Sequence, residues 1–244
     1  MSWHTRRLAA FDIETTGVDC ESDRIVTASI SFVGGDLPVE SRDWLVDPGV
    51  EIPTGATGVH GITTEHARAN GRVTGEVVEE ITALLASHLQ QGAPVIVFNA
   101  RFDLTCLDRE ARRHGVLPLV DRVGADGMLV VDPFVLDKQL DRYRRGKRTL
   151  TAVCEHYRVP LEDAHVANAD ALAAARVAWR LARQFAELQE ADLRALHDHQ
   201  VAWAAEQAAS LQDYFRGRGS EELVERAWPI IPERVPQEIT RIAA

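Results

Sequence analysis

Alternating apolar and polar positions open the chain. Leu8 to Ile13 reads as a buried strand, Ile25 to Val33 as a second and Ser41 to Val46 as a third, with Gly34-Gly35 as the turn before the last. A loop rich in Gly, Pro and Thr (Pro53 to Thr63) then leads to a helix over about Gly75 to Gln91. There Val77, Val78, Ile81, Leu84, Leu85 and Leu89 fall on one apolar face. Pro94 to Phe98 is a short β-branched run suited to a central strand, and Arg101 to His114 is helical until Gly115 stops it. A strand near Met128 to Val131 precedes helices over Pro133 to Tyr143 and Thr149 to Tyr157, the second closed by Pro160. A long Ala-rich helix starts at about Ala167. Strands first and mixed elements later predict an α/β fold, one sheet covered on both faces with an antiparallel part.

Beyond residue 184 the pattern weakens. Leu193, Leu196, Trp203, Leu211 and Tyr214 form a partial helical stripe, followed by Pro229, Pro232 and Pro236, and residues 185–244 hold 6 basic and 11 acidic residues. The organisation expected is a main domain over 1–184 and a helical extension with an irregular tail over 185–244. Packing of that stripe back on the domain is favoured slightly over an interface.

A chain of 244 residues with 45% hydrophobic and 26% charged content is long enough to bury one good core. Its apolar runs fall far short of a membrane span, and Met1 to Arg7 leads into a strand with no apolar secretory region, so a cytoplasmic protein is expected. Cys20, Cys106 and Cys154, odd in number and widely spaced, suit reduced thiols. The net charge of -10 argues against a protein that coats long duplex, because that mode needs a broad basic surface. It leaves room for an enzyme that grips one strand end.

Acidic residues at element ends carry the chemistry. Asp12 and Glu14 lie two apart in FDIETTG, so on a strand both carboxylates face one side and can share a divalent cation. Asp103, in FNARFD, follows a buried strand at a helix start, where helix capping is the alternative role. His165 and Asp170, in HVANAD, open the Ala-rich helix. Phe102 is either a core residue or a base-stacking platform. Asp141 to Arg148 places five basic residues in eight positions around Tyr143, either a solvated loop or a phosphate-tracking clamp.

In order and spacing these motifs resemble the DEDD exonuclease superfamily over roughly residues 6 to 182. FDIETTG resembles its first motif, FNARFD its second and HVANAD its third. The sister subgroup carries a Tyr four residues before the last acid. Here that position is Val166, and His165 sits five before, which favours the histidine subgroup with its polymerase epsilon and ribonuclease T relatives. GVHGIT resembles the family's VHGI segment, although Thr54-Gly55-Ala56-Thr57 stands where some epsilon-like members carry an acid.

The resemblance implies a ribonuclease H-like fold with a mixed five-stranded sheet. It also implies two Mg²⁺ or Mn²⁺ ions held by Asp12, Glu14, Asp103 and Asp170, and His165 as general base. Thr15, Thr16, Gly17, His60, Gly61, Ile62, Asn99 and Phe102 become substrate-contact candidates. The implied function is 3′-to-5′ exonuclease release of nucleoside 5′-monophosphates, on single-stranded DNA or frayed ends in repair or proofreading. The rivals are an exoribonuclease of oligoribonuclease type and a polymerase-tethered binding module, the latter disfavoured by the complete acidic set. Related families imply either a homodimer or a polymerase partner for the C-terminal helix.

Overall fold

The structure, a computed structural model, describes residues 2–161 and 164–233. Pro236 of the expected tail lies outside the described residues. Strands β1 (Leu8–Thr15), β2 (Ile25–Val33) and β3 (Glu40–Asp47) form an antiparallel meander. Two short strands, β5 (Val95–Ile96) and β6 (Val130–Val131), extend the sheet in parallel beyond β1. A further two-residue strand, β4 (Arg72–Val73), pairs in parallel with β3, giving the order β4-β3-β2-β1-β5-β6. The sheet therefore has six strands rather than the five expected, because β4 is exposed and too short to leave a period.

The period-2 pattern of β1 divides the core. Ala9, Phe11 and Ile13 join one apolar cluster, with α3 (Thr74–Gln90) and α4 (Ala100–Arg113). Leu8 and Ala10 join the other, with α7 (Leu150–Tyr157) and α8 (Ala167–Gln184). Asp12 and Glu14 share the phase of Leu8 and Ala10 and so face α8.

The expected loop over Pro53 to Thr63 holds a helix, α1 (Thr54–His60), followed by α2 (Thr64–Asn70). Helix α1 buries no residue, so it leaves no apolar period to read. A short α5 (Leu119–Val123) fills the link to β6, and α6 (Pro133–Leu140) follows it. No helix among the described residues is long and apolar enough to cross a membrane.

The chain then passes through α9 (Ala186–Glu190) into α10 (Leu193–Gly217), which packs back on the domain. Leu193 and Leu196 are buried there, whereas Leu211 and Tyr214 stay exposed. Helix α10 also closes the free edge of β6. Gln200 Oε1 accepts the Asp132 N–H at 2.7 Å and its Nε2 donates to the Val130 carbonyl at 3.0 Å, as a neighbouring strand would. His197 Nδ1 accepts the Val130 N–H at 3.1 Å. Burial pushes that imidazole down to about 4, with Arg194 adding to the effect, so it stays neutral and able to accept.

The expected clamp loop is divided in its roles. Arg144 and Arg148 turn inward onto the buried Asp137, at 2.8 and 2.7 Å, and Tyr157 donates its O–H to the same carboxylate at 2.9 Å. Arg142, Tyr143, Arg145 and Lys147 remain exposed. Tyr157→Phe should cost about 2 kcal/mol of unfolding free energy, because it removes a buried hydrogen bond to a charged acceptor. Urea denaturation reads this directly.

Cys20 and Cys106 are joined as a disulfide with Cα atoms 4.6 Å apart, which corrects the expectation of reduced thiols. The bond ties the loop after β1 to α4, and only Cys154 is a free cysteine.

Candidate active site

Four chain segments meet at the carboxyl ends of β1 and β5. Pairing between these strands covers only Ala9 and Ala10 against Val95 and Ile96. Beyond it, the Ile13 N–H donates to Asp103 Oδ1 at 3.1 Å. Asp103, buried in the first turn of α4, is thus fixed to the strand between the two acids of the first motif.

Asp170 enters from the first turn of α8. Its Oδ2 accepts the His165 N–H at 3.1 Å, while its buried Oδ1 has no hydrogen-bond partner among the described residues. His165 holds a left-handed backbone with φ of 70° and an exposed side chain. Ligand atoms of Glu14, His165 and Asp170 all lie within 4.8 Å of one another.

The electrostatics are those of an uncompensated acidic cluster. Burial holds Asp12 well above the usual carboxylate range, and the charges of Asp103, Asp170 and Glu14 add to it. Burial pushes Glu14 up to about 7, with Asp170 contributing. Asp103 and Asp170 are raised by burial too, against the pull of their backbone hydrogen bonds. Among the described residues none of the four forms an ion pair with Lys or Arg. An unpartnered buried oxygen on Asp170 with Glu14 beside it, and Asp12 and Asp103 near enough for their charges to act on the group, make a hard-oxygen donor set that suits Mg²⁺ or Mn²⁺.

The remaining candidates occupy the rim. His60 closes α1, where Gly61 takes the left-handed cap at φ of 78°. His60 Nδ1 accepts the Ile62 N–H at 3.1 Å, and among the described residues its buried Nε2 has no partner in full hydrogen-bond geometry. Burial lowers the imidazole, opposed by a contact with the Thr15 backbone, which brings this segment to the end of β1. Thr15 donates its hydroxyl to the Gly17 carbonyl, and Thr16 donates its own to Asp23 Oδ1 at 2.8 Å. A Cβ on Gly17 would meet the Asp23 carboxylate at 2.5 Å, so a side chain there would displace this turn. Phe102 packs partly buried against the core.

Asp132 escaped the sequence reading. Its carboxylate accepts the N–H groups of Asn99 and Ala100, both at 2.9 Å, and so caps the helix that bears Asp103. It also accepts from the Phe134 N–H at 2.9 Å and from Trp228 Nε1 at 3.1 Å. The signal in the sequence was Asp before Pro133, an N-cap with Pro in the first helical position. Asn99 itself takes a left-handed backbone with φ of 64° at the start of α4.

The RNase_T exonuclease family matches residues 9–178, a span that contains every one of these acids. The chain belongs to that family. It is therefore a member of the DEDD exonucleases, hydrolases of the 3′-to-5′ kind. DNA polymerase III of the PolC type from Streptococcus agalactiae is 28% identical over 177 residues, 72% of this chain and 11% of the polymerase. Exonuclease I of E. coli, solved with a dA16 oligonucleotide, superposes with a TM-score of 0.62 at 18% identity over 75% of this chain and 42% of that one. Exonuclease I of Methylocaldum szegediense gives 0.59 at 22% identity over 75% and 41%. These two likenesses establish the α/β fold. The chain spans about a tenth of the polymerase and about two fifths of either exonuclease.

Proposed function

We propose that this exonuclease removes nucleoside 5′-monophosphates from the 3′ ends of single-stranded or frayed DNA, in repair or proofreading. The observation that carries the reading is the meeting of Asp12, Glu14, Asp103 and Asp170, raised by burial and, among the described residues, without a Lys or Arg ion pair, beside the exposed His165. The substrate preference draws on the single-stranded oligonucleotide bound by Exonuclease I of E. coli. The proofreading setting draws on the PolC-type relatives.

Asp12, Glu14 and Asp170 would hold Mg²⁺ or Mn²⁺, with Asp103 steadying β1 through Ile13. Bound there, the ions would polarise the scissile phosphate and lower the pKa of the attacking water. His165 takes the proton from that water, its backbone N–H held by Asp170 and a ring nitrogen within 4.8 Å of carboxylate oxygens of Glu14 and Asp170. His60, Gly61 and Ile62, set against the end of β1, would cradle the terminal nucleotide.

A denaturing gel of 5′-labelled single-stranded DNA and RNA tests the reading. Stepwise shortening is expected with Mg²⁺ or Mn²⁺ and none with chelator. His165→Ala should lower kcat by about 10²-fold at neutral pH with KM little changed, the usual worth of general-base catalysis. Turnover by that variant within about twofold of the parent would remove His165 from this role.

A further inference from the structure

Helix α10 and the strap after it (residues 218–233) lie outside the family match over residues 9–178 and, with α6 and the start of α4, wall a groove. Two cavities lie in series along it, of about 210 and 220 Å³. Both are lined by Lys138 of α6 and Gln207 of α10. The inner one adds Asn99, Arg101 and Asp132, at the start of the helix that carries Asp103, and is walled by Phe134 and Trp228. The outer one adds Arg142, Arg148 and Glu206.

Its charges are compensated only in part. Arg148 is consumed by Asp137, but among the described residues no carboxylate lies within ion-pair distance of Lys138 or Arg142. Lys138 is half-buried, with its ammonium 4.9 Å from the centre of the Phe134 ring. Burial holds it below the usual lysine range and the charges of Arg101 and Arg148 push it further down, against the opposing charge of Asp132. Arg101 gives its Nε–H to the Ala227 carbonyl, the one hydrogen bond of its guanidinium among the described residues, and lines the cavity under the charges of Glu225 and Asp132. Asp132, Glu225 and Glu206 lie along the groove as well, so the charge left for an anion is that of Lys138 and Arg142. Two chambers sharing one lysine suit a repeating anion, and a cationic groove with an aromatic wall is the arrangement that tracks a single strand.

We propose that this groove is a second nucleic-acid subsite, in which Arg101, Lys138 and Arg142 hold backbone phosphates of the strand whose 3′ end lies among the catalytic acids. The assignment rests on the exonuclease reading for the strand's polarity and not for its binding.

The test compares K138Q/R142Q with the parent on two substrates, a single strand of about 12 nucleotides and the p-nitrophenyl ester of thymidine monophosphate, which reaches only the acids. The ratio of kcat/KM for the strand to that for the ester should fall about tenfold. The slope of log affinity against log salt should fall by about 1.4, at roughly 0.7 per phosphate contact on a single strand. Glu206→Gln, which removes the one acid of the outer chamber, should raise the same ratio about twofold, a reversal that mere loss of packing does not produce. A ratio within twofold of the parent for K138Q/R142Q overturns the subsite. Fluorescence anisotropy of the same strand with Ca²⁺ separates the two readings. If the parent binds and the double variant does not, yet neither cleaves, the subsite stands and the exonuclease reading fails. If both cleave and bind alike, the reverse holds.

Discussion

Asp12→Asn is expected to cut turnover by about 10³-fold or more and at the same time to raise the melting temperature of the metal-free protein. The two effects have one cause. Asp12 is half-buried and feels the charges of Asp103, Asp170 and Glu14, so each carboxylate that ionises works against the folded chain. A loss of 10³ corresponds to about 4 kcal/mol of transition-state stabilisation, reasonable for a group at the centre of a metal-assisted phosphodiester hydrolysis. The neutral amide keeps the shape and removes the repulsion. After screening by solvent that relief amounts to about 1–2 kcal/mol, or about 2–8 °C for a chain of this length.

The pH dependence gives the same account a second check. Glu14 is pushed up to about 7, and Asp12, Asp103 and Asp170 are all raised, so the folded state favours their protonated forms. The stability this contributes is complete below the ordinary carboxylate range and is lost as pH climbs toward about 7. The metal-free protein should therefore melt lower at pH 8 than at pH 5, and Mg²⁺ should restore more at the higher pH. In Asp12→Asn the gap between the two pH values should shrink. Differential scanning fluorimetry with chelator and with Mg²⁺ reads all of this, and a melting temperature in Asp12→Asn equal to or below the parent's at pH 8 would mean that the acids do not repel as described.

What was legible in the sequence was what periodicity and spacing encode. The alternation in Leu8 to Ile13 placed Asp12 and Glu14 on one face, and the step from the strand ending at Phe98 to the helix from Arg101 placed Asp103 at a helix start, as found. Helix α1 was missed because it buries nothing, and β4 because it is two exposed residues long. The fate of the basic run was not legible either. Whether Arg144 and Arg148 face solvent depends on Asp137, seven and eleven residues earlier, and on how the α6–α7 turn folds back. The pairing of Cys20 with Cys106 spans 86 positions and leaves no local trace. The edge closure of β6 by Gln200 is likewise a tertiary event, a single amide on a helix that reads as polar surface until the strand beside it is known.

Asp132→Ala is the strongest structural prediction, because one buried carboxylate joins three elements. It caps α4 through Asn99 and Ala100, caps α6 through Phe134 and anchors the C-terminal strap through Trp228. Removing it strands four donors, of which each buried one costs about 1–3 kcal/mol if it finds no substitute. Part of that loss is offset, because burial already raises this carboxyl above its usual range and its ionised form is costly to keep. A net loss of about 3 kcal/mol follows, or about 6–12 °C in melting temperature. The amide of Asp132→Asn gives no rescue, since its NH₂ would face N–H donors where an oxygen now accepts. The consequence for catalysis runs through α4. A loosened first turn lets Asp103 release the Ile13 N–H, and β1 then presents Asp12 and Glu14 less firmly. Turnover measured well below the melting point should fall by about tenfold, mainly in kcat. Trp228→Phe removes one donor and keeps the ring, so it should cost about 1 kcal/mol and leave kcat near the parent's. If both variants lose stability and kcat in the same proportion, the strap rather than the α4 cap carries the effect, and Asp132 acts on the site only by holding the C-terminal segment in place.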